Sequence, residues 1–332
     1  MKVKYFPYQP HCFAFGGFDM QMINTLNVVN KAGIDASRLD IWSRDNDFEV
    51  IHLWGVGPHN YHVIDWAKKS GKKIVATVLL PYYDTIRLKL SYYKHLFSVA
   101  NKQQLHYYSL IDKVVVVNNP QSDVLCKYYK VPTSKIDVIP NIVEAKYFEI
   151  SSFNFSEKHD INNYVLCTGN ISSRKNQLNL AHACINLNLK LVLIGNVLDG
   201  ELTYGKALES FVKNNNNIRW IKELPKASDE LAAAYFQCAL FALPSKDETQ
   251  PISALEAAAM GKPLVLMNKK YAHQIYYKGA VLCKSPSVKD IEIALIKSIE
   301  SKKNQMINSE ISNCLEKNVG ELYKLCYSKL VK

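Results

Sequence analysis

Short β-branched and aromatic runs alternate along the chain with longer stretches whose apolar residues recur at helical spacing. Residues 3–6, 50–54, 73–79 and 113–117 read as strands, and 19–31 as a helix, because Met20, Ile23, Leu26 and Val29 share one face. The runs at 50–54, 73–79 and 113–117 are almost continuously apolar, as expected of strands covered on both faces. A second series begins near residue 162, with strands predicted at 164–168, 191–194, 218–221, 239–243 and 263–267 and helices between them. The pattern predicts an α/β protein of two Rossmann-like halves.

Residues 151–163 (SSFNFSEKHDINN) are polar and aperiodic, which suits an interdomain connection. The expected division is therefore 1–150 and 151–310. Residues 290–332 are helical in pattern, and 311–332 are expected to form a C-terminal helix that packs back across the interface, with Leu315, Val319, Leu322, Leu325 and Leu330 roughly on one side.

A length of 332 residues with 48% hydrophobic content suffices for two cores without metal or disulfide staples, which excludes a disulfide mini-protein or a disordered tail. The eight cysteines are dispersed, with no C-x-x-C pair, and read as reduced and mostly buried. Neither a secretory leader nor an apolar run near the roughly 20 residues of a membrane span is visible, so a cytoplasmic location is expected. The net charge of +11 points to nucleic acid or an anionic membrane face. Basic residues are spread over both halves and no RNA-binding signature accompanies them, so no nucleic-acid partner is expected.

The most informative segment is 241–266, FALPSKDETQPISALEAAAMGKPLVL. A buried strand ends at Pro244, a polar loop carries Asp247 and Glu248, Pro251 stands at the first helical position, and a helix runs through Glu256 to Gly261. Ligands of open parallel sheets gather at the carboxyl ends of strands, which is where Glu248 falls. Carboxylates there accept hydrogen bonds from sugar hydroxyls, and unpaired N–H groups at a helix start attract phosphate. Glu256 sits among Ala254, Leu255, Ala257, Ala258 and Ala259, a setting too apolar for a solvated face.

Glu248 and Glu256 within this segment resemble the E-x7-E signature of retaining GT-B glycosyltransferases, family 4, also called glycosyl transferases group 1. TGNISSRKNQ at 168–177 resembles the family's phosphate-binding strand-loop-helix, FGGFDMQMINTL at 15–26 its N-terminal glycine loop, and DVIPNIV at 137–143 the end of its first domain. The resemblance implies a GT-B fold, two Rossmann-like domains with parallel sheets facing a cleft. The first domain would take the acceptor and the second the nucleotide diphosphate sugar. It implies that Glu248 contacts hydroxyls of the donor sugar, that Glu256 contacts the ribose, and that Arg174 and Lys175 lie against the diphosphate. Cations in that place stabilise the negative charge that builds on the leaving group. Gly16, Gly17, Gly169, Asn170, Thr249, Gln250, Pro251 and Ile252 complete the expected donor site, with Gly16 and Gly17 supplying close backbone approach or positive φ.

Departures from the family pattern matter. Asn170 stands where an Arg is common, leaving the cationic work to Arg174 and Lys175. No histidine follows the strand at 73–79, so His11 and Asp84 are the nearest polar candidates on the acceptor side. Asp45-Asn46-Asp47 is a D-x-D sequence, but it precedes a strand and reads as a polar turn. No metal and no cofactor are expected. Residues 85–110 combine Arg87, Lys89, Lys94 and Lys102 with Tyr92, Tyr93, Phe97, Tyr107 and Tyr108 and no acidic residue, which fits either a helix on the anionic inner face of the cell membrane or a core helix with a solvated basic edge. The implied activity is retaining sugar transfer to a glycan or lipid-linked acceptor, in assembly of a bacterial-type surface polysaccharide. The alternatives are a sugar-nucleotide epimerase or hydrolase, or a catalytically silent binding protein of the same fold.

Overall fold

The computed structural model describes residues 1–13, 16–80, 82, 86–225, 227–301 and 309–331. The chain divides into two compact units, Met1–Ile142 with Glu316–Lys332, and Val143–Leu315.

In the first unit, β1 (Lys2–Phe6) leads to α1 (Gly17–Lys31), β2 (Asp35–Arg38) and β3 (Val50–Trp54). There follow α2 (Tyr61–Lys69), β4 (Lys73–Thr77), α3 (Ile86–His95), α4 (Val99–Leu110), β5 (Lys113–Val116), α5 (Asn119–Tyr129) and β6 (Ile136–Val138). The strands form one parallel sheet in the order β2-β1-β3-β4-β5-β6. Every residue of β3 is buried, as its almost continuous apolar run predicts, with His52 the one polar member.

In the second unit, α6 (Phe155–Lys158) and β7 (Tyr164–Thr168) precede α7 (Gln177–Asn186), β8 (Lys190–Ile194), α8 (Leu202–Lys213) and β9 (Ile218–Ile221). Then come α9 (Asp229–Gln237), β10 (Leu240–Leu243), α10 (Ile252–Ala259), β11 (Leu264–Met267), β12 (Val281–Cys283) and α11 (Val288–Glu300). This sheet is also parallel, in the order β12-β11-β10-β7-β8-β9. Two six-stranded parallel sheets with helices thus give the α/β architecture of two Rossmann-like halves expected from the pattern.

Three strands are not legible in the hydrophobic pattern: β2, β6 and β12. Each lies at an edge of its sheet, where one flank meets solvent and no continuous apolar run is needed. The C-terminal helix expected at 311–332 begins later, at Glu316. Among the described residues, the C-terminal stretch carries α11, a 3-10 turn at Ser309–Cys314 and α12 (Glu316–Val331).

Helix α12 lies in the first unit because its Tyr323 and Tyr327 complete the core around Val3, Tyr5, Val29 and Trp54. Gly320 permits this approach: a Cβ there would come within 2.9 Å of the Val28 carbonyl oxygen. A buried polar chain pins the helix to the sheet, from Tyr5 Oη to Tyr327 Oη (2.6 Å), to His52 Nδ1 (2.6 Å), and from His52 Nε2 to Thr77 Oγ1 (2.8 Å). Burial holds the His52 imidazole well below its usual pKa, so it serves there as a neutral relay of hydrogen bonds.

Candidate active site

Strands β7 and β10 are neighbours, so the loops leaving their carboxyl ends meet. The β7 loop begins at Gly169, with φ +122°, and the following β8 turn at Gly195, with φ +150°. A Cβ on Gly195 would fall 2.2 Å from the Gly169 carbonyl oxygen, so glycine is required for these two turns to stack. Gln177, at the start of α7, staples the loop by donating from Nε2 to the Asn170 carbonyl (3.0 Å) and accepting at Oε1 from the Ser172 N–H (3.3 Å). The Lys246 N–H donates to the Arg174 carbonyl (2.8 Å), which ties the β10 loop to the β7 loop.

Glu248 occupies this junction. Its Oε1 lies 2.9 Å from Arg174 Nη1 and 2.9 Å from Lys175 Nζ, and it accepts from Ser245 Oγ at 2.9 Å. Among the described residues, Oε2 has no partner. Only 11% of the Glu248 side chain and 13% of the Lys175 side chain are exposed, whereas Arg174 keeps 46% and reaches solvent. Burial pushes the Glu248 carboxyl upward, but Lys175 and then Arg174 outweigh it and hold the group below the ordinary carboxylate range. Glu248, Arg174 and Lys175, separated in sequence, are therefore brought into one ion cluster. Arg174 also donates to the Asp247 carbonyl.

Glu256 lies about one turn along α10. Its Oε2 accepts from Tyr235 Oη at 2.6 Å, and the Tyr235 hydroxyl is also bonded to Thr168 Oγ1 at the end of β7. Tyr147 hydrogen-bonds the same carboxylate. Burial, and then the charge of Glu256, drive both phenols above their usual pKa, so both remain protonated donors. Ser245, Tyr235, Tyr147 and Thr168 were not legible as site residues. Ser245, three residues before Glu248, carried a local signal; the tyrosines lie on other elements and carried none.

The remaining expected site residues fall as follows. Gly169 lies against Lys175, whose Nζ would be 3.3 Å from an added Cβ, and Asn170 is exposed. Thr249 and Ile252 are half-buried at the start of α10. The amide of Gln250 is buried and donates to Gln274 Oε1 (2.6 Å), while Gln274 donates to the Thr249 carbonyl (2.9 Å). Pro251 is the residue before the helix and not its first, and its carbonyl accepts the first intrahelical bonds from Ala254 and Leu255.

In the other unit, Gly16 has an extended φ of −156° and its N–H donates to Asp19 Oδ2 (2.8 Å). Neither Gly16 nor Gly17 has positive φ, which corrects that part of the expectation, but the space above both is open. His11 Nε2 is 3.7 Å from Asp19 Oδ1, so this histidine does reach the glycine turn. Asp84 lies outside the described residues. The D-x-D sequence is a solvated turn in which Asp45 accepts from the Asp47 N–H (2.9 Å) and Asp47 pairs with Lys2 at the amino end of β1.

Among the described residues, no three or more His, Cys, Asp or Glu side chains gather as a metal site requires, and no helix is long and apolar enough to cross a membrane. The cysteines are free thiols; burial pushes Cys167, beneath the β7 loop, up to about 12. The 85–110 region forms α3 and α4 with a mixed character. Tyr108 is buried, Tyr92 packs on Tyr128 and Tyr107 on Tyr61, whereas Leu90, Tyr93, Phe97 and Val99 are exposed beside Lys89, Lys94 and Lys102.

The sequence matches the family Glycosyl transferases group 1 over residues 150–312 and Glycosyltransferase Family 4 over residues 25–147. It is 24% identical over 230 residues to the O-antigen chain mannosyltransferase RfbU of Salmonella typhimurium, a match spanning 66% of this chain and 58% of that protein. The structure of Anabaena Alr3699/HepE in complex with UDP and glucose superposes with a TM-score of 0.73 at 15% identity, over 100% of this chain and 99% of that one. A glycosyltransferase from Rickettsia africae gives 0.69 at 16% identity, over 100% and 98%. With both halves matched and both sheets in place, the chain belongs to the GT-B glycosyltransferases, a family 4 domain followed by a group 1 domain.

Proposed function

We propose that this protein transfers a sugar from a nucleotide diphosphate sugar to a glycan or lipid-linked acceptor, with retention at the anomeric carbon, in assembly of a surface polysaccharide. The observation that carries the reading is the asymmetry of Glu248. One oxygen is saturated by three donors and thereby fixed, while the other has no partner among the described residues and suits a sugar hydroxyl. The similarity to an O-antigen chain mannosyltransferase, and to a protein solved with UDP and glucose, supports the same class of donor and product.

In this reading Arg174 and Lys175 exchange part of their hold on Glu248 for the donor diphosphate. The bond from the anomeric carbon to the phosphate oxygen breaks, with its electron pair remaining on the phosphate, and the two cations stabilise that charge. The acceptor oxygen bonds to the anomeric carbon from the same face and its proton passes to the leaving phosphate. Glu256, aimed by Tyr147 and Tyr235, accepts from the ribose. The cations supply the charge that a divalent ion supplies elsewhere, so no metal is required.

A lipid-linked acceptor gives the exposed side chains of α3 and α4 a purpose. Leu90, Tyr93, Phe97 and Val99, flanked by Lys89, Lys94 and Lys102, form an apolar and basic surface suited to anionic lipid.

The test is a thermal-shift screen of nucleotide diphosphates with EDTA present. A base-selective stabilisation that disappears in the Arg174→Ala, Lys175→Ala double variant is expected. Stabilisation that survives in that variant would refute the phosphate assignment. Transfer activity retained by Glu248→Ala would refute its role on the sugar.

A further inference from the structure

The loop between Glu248 and α10 is held from one side by a segment that the donor chemistry does not use. That segment joins β11 to β12 through two 3-10 turns, Lys270–His273 and Ile275–Tyr277, with Gln274 between them. Its own seat is firm. Tyr271 Oη accepts from the Met267 N–H (3.2 Å) and donates to the Leu243 carbonyl (3.4 Å), which bridges the carboxyl ends of β11 and β10.

From this seat three bonds reach the loop. Gln274 Nε2 donates to the Thr249 carbonyl (2.9 Å), Gln274 Oε1 accepts from Gln250 Nε2 (2.6 Å), and Tyr277 Oη donates to the Pro251 carbonyl (3.3 Å). The three residues that follow Glu248 are thereby tied to one support. Gln274 Nε2 also donates to the Tyr271 carbonyl (2.9 Å). Two carbonyls at one end of an amide are met only by its NH2 group, so the other end is the oxygen and the side chain at position 250 has to be a donor. Gln250 is 4% exposed and Gln274 9%, so bulk water does not replace a lost partner.

On its other side Glu248 is held through Oε1 by Ser245, Arg174 and Lys175. In the proposed reaction the two cations turn toward the diphosphate. Two of the three holds on the carboxylate then loosen just when it has to meet the sugar. What remains is Ser245 and the backbone that Gln274 fixes at the next residue. Hydrogen bonds weaken steeply away from their preferred geometry, so a small shift of this backbone is felt at the sugar.

We infer that Gln274, acting through Gln250 and the Thr249 carbonyl, is a positioning residue for sugar transfer, a role that rests on the proposed reaction. It keeps Glu248 aimed at the donor sugar after the cations have released it. Gln274 lies 26 residues beyond Glu248 and carried no signal in the sequence.

The experiment uses the full chain and calorimetric titration with UDP and GDP, and with UDP-glucose, UDP-galactose, UDP-N-acetylglucosamine and GDP-mannose. Gln250→Met removes the donor to Gln274 at nearly constant volume, and Gln274→Glu sets a carboxylate oxygen against two carbonyls. The bare nucleotide diphosphate that binds the parent should bind both variants unchanged, because Arg174, Lys175 and Glu256 are untouched, which also shows that they fold. The sugar nucleotide of the same base should weaken by about tenfold in each. A fall in stability alone, with the ratio of the two affinities as in the parent, is what a packing role gives and overturns the inference, as does equal weakening of both ligands. Should Gln274→Glu fail to fold, Gln250→Met alone decides. Absence of binding by either nucleotide diphosphate to the parent protein would instead overturn the transfer reading, and this role with it.

Discussion

Lys175→Met removes one charge from the donor-site cluster and keeps most of the side chain's bulk. Lys175 Nζ and Glu248 Oε1 are 2.9 Å apart, and at an effective dielectric of about 20 two unit charges at that distance attract by roughly 6 kcal/mol. Desolvation offsets much of this, and breaking a buried pair usually costs ~3–5 kcal/mol. Arg174 remains on the same oxygen, so the loss should fall below that range, at about 2 kcal/mol, which lowers Tm by roughly 4–8 °C in a unit of this size. The effect should depend on pH with a definite sign. Burial raises the Glu248 pKa, and Lys175 followed by Arg174 more than reverse it, so the folded value is depressed. Its stabilising contribution is therefore complete above the unfolded value of about 4.3 and is lost as pH falls through the folded value. With Lys175 gone the depression shrinks, so the acid limb of the stability curve should move to higher pH. Removal of a cation at the leaving group should also lower kcat by about 10²–10³. Thermal unfolding followed by circular dichroism at a series of pH values, with turnover measured alongside, checks all three. An unchanged Tm, acid limb and kcat would refute the cluster as both a structural and a catalytic device.

Tyr235→Phe deletes a donor to Glu256, and nucleotide diphosphate affinity should fall by about tenfold while pyrophosphate affinity stays constant; calorimetric titration of both ligands distinguishes a ribose role from a general loss. Gly195→Ala should destabilise the second unit by about 3 kcal/mol, since the new Cβ meets the Gly169 carbonyl at a φ that side chains avoid, and urea unfolding reads this directly. The double variant Lys89→Glu, Lys94→Glu should lose flotation with phosphatidylglycerol vesicles and retain its nucleotide thermal shift; equal flotation of parent and variant would remove the membrane surface from the account.

The strands most deeply buried were the ones most readable in the sequence. The continuous apolar runs of β3 and β7 follow from burial of both faces, whereas edge strands such as β2 and β12 have no such requirement and were missed. The same logic separates the glutamates from their supports. Glu248 and Glu256 stand in a local context of strand, loop and helix, and their neighbours along the chain advertise them. Tyr147 and Tyr235 contribute to Glu256 from distant positions and look like ordinary core tyrosines. Gly16 and Gly17 show the limit of a local signal: of the two uses a glycine pair suggests, positive φ and close backbone approach, the structure lacks the first, and Asp19 accepts from the Gly16 N–H on an extended backbone.

The sequence by itself determined the two parallel α/β units and the acidic loop before α10, because burial periodicity and strand-end chemistry are written within a few residues of one another. Only the tertiary structure decided that Arg174, Lys175 and Ser245 converge on a single oxygen of Glu248, and that Gln274 ties Gln250 to the Thr249 carbonyl. Those arrangements depend on which strands become neighbours in a sheet and on how glycine turns let loops approach, and pairing between segments far apart in the chain leaves no local periodicity to read.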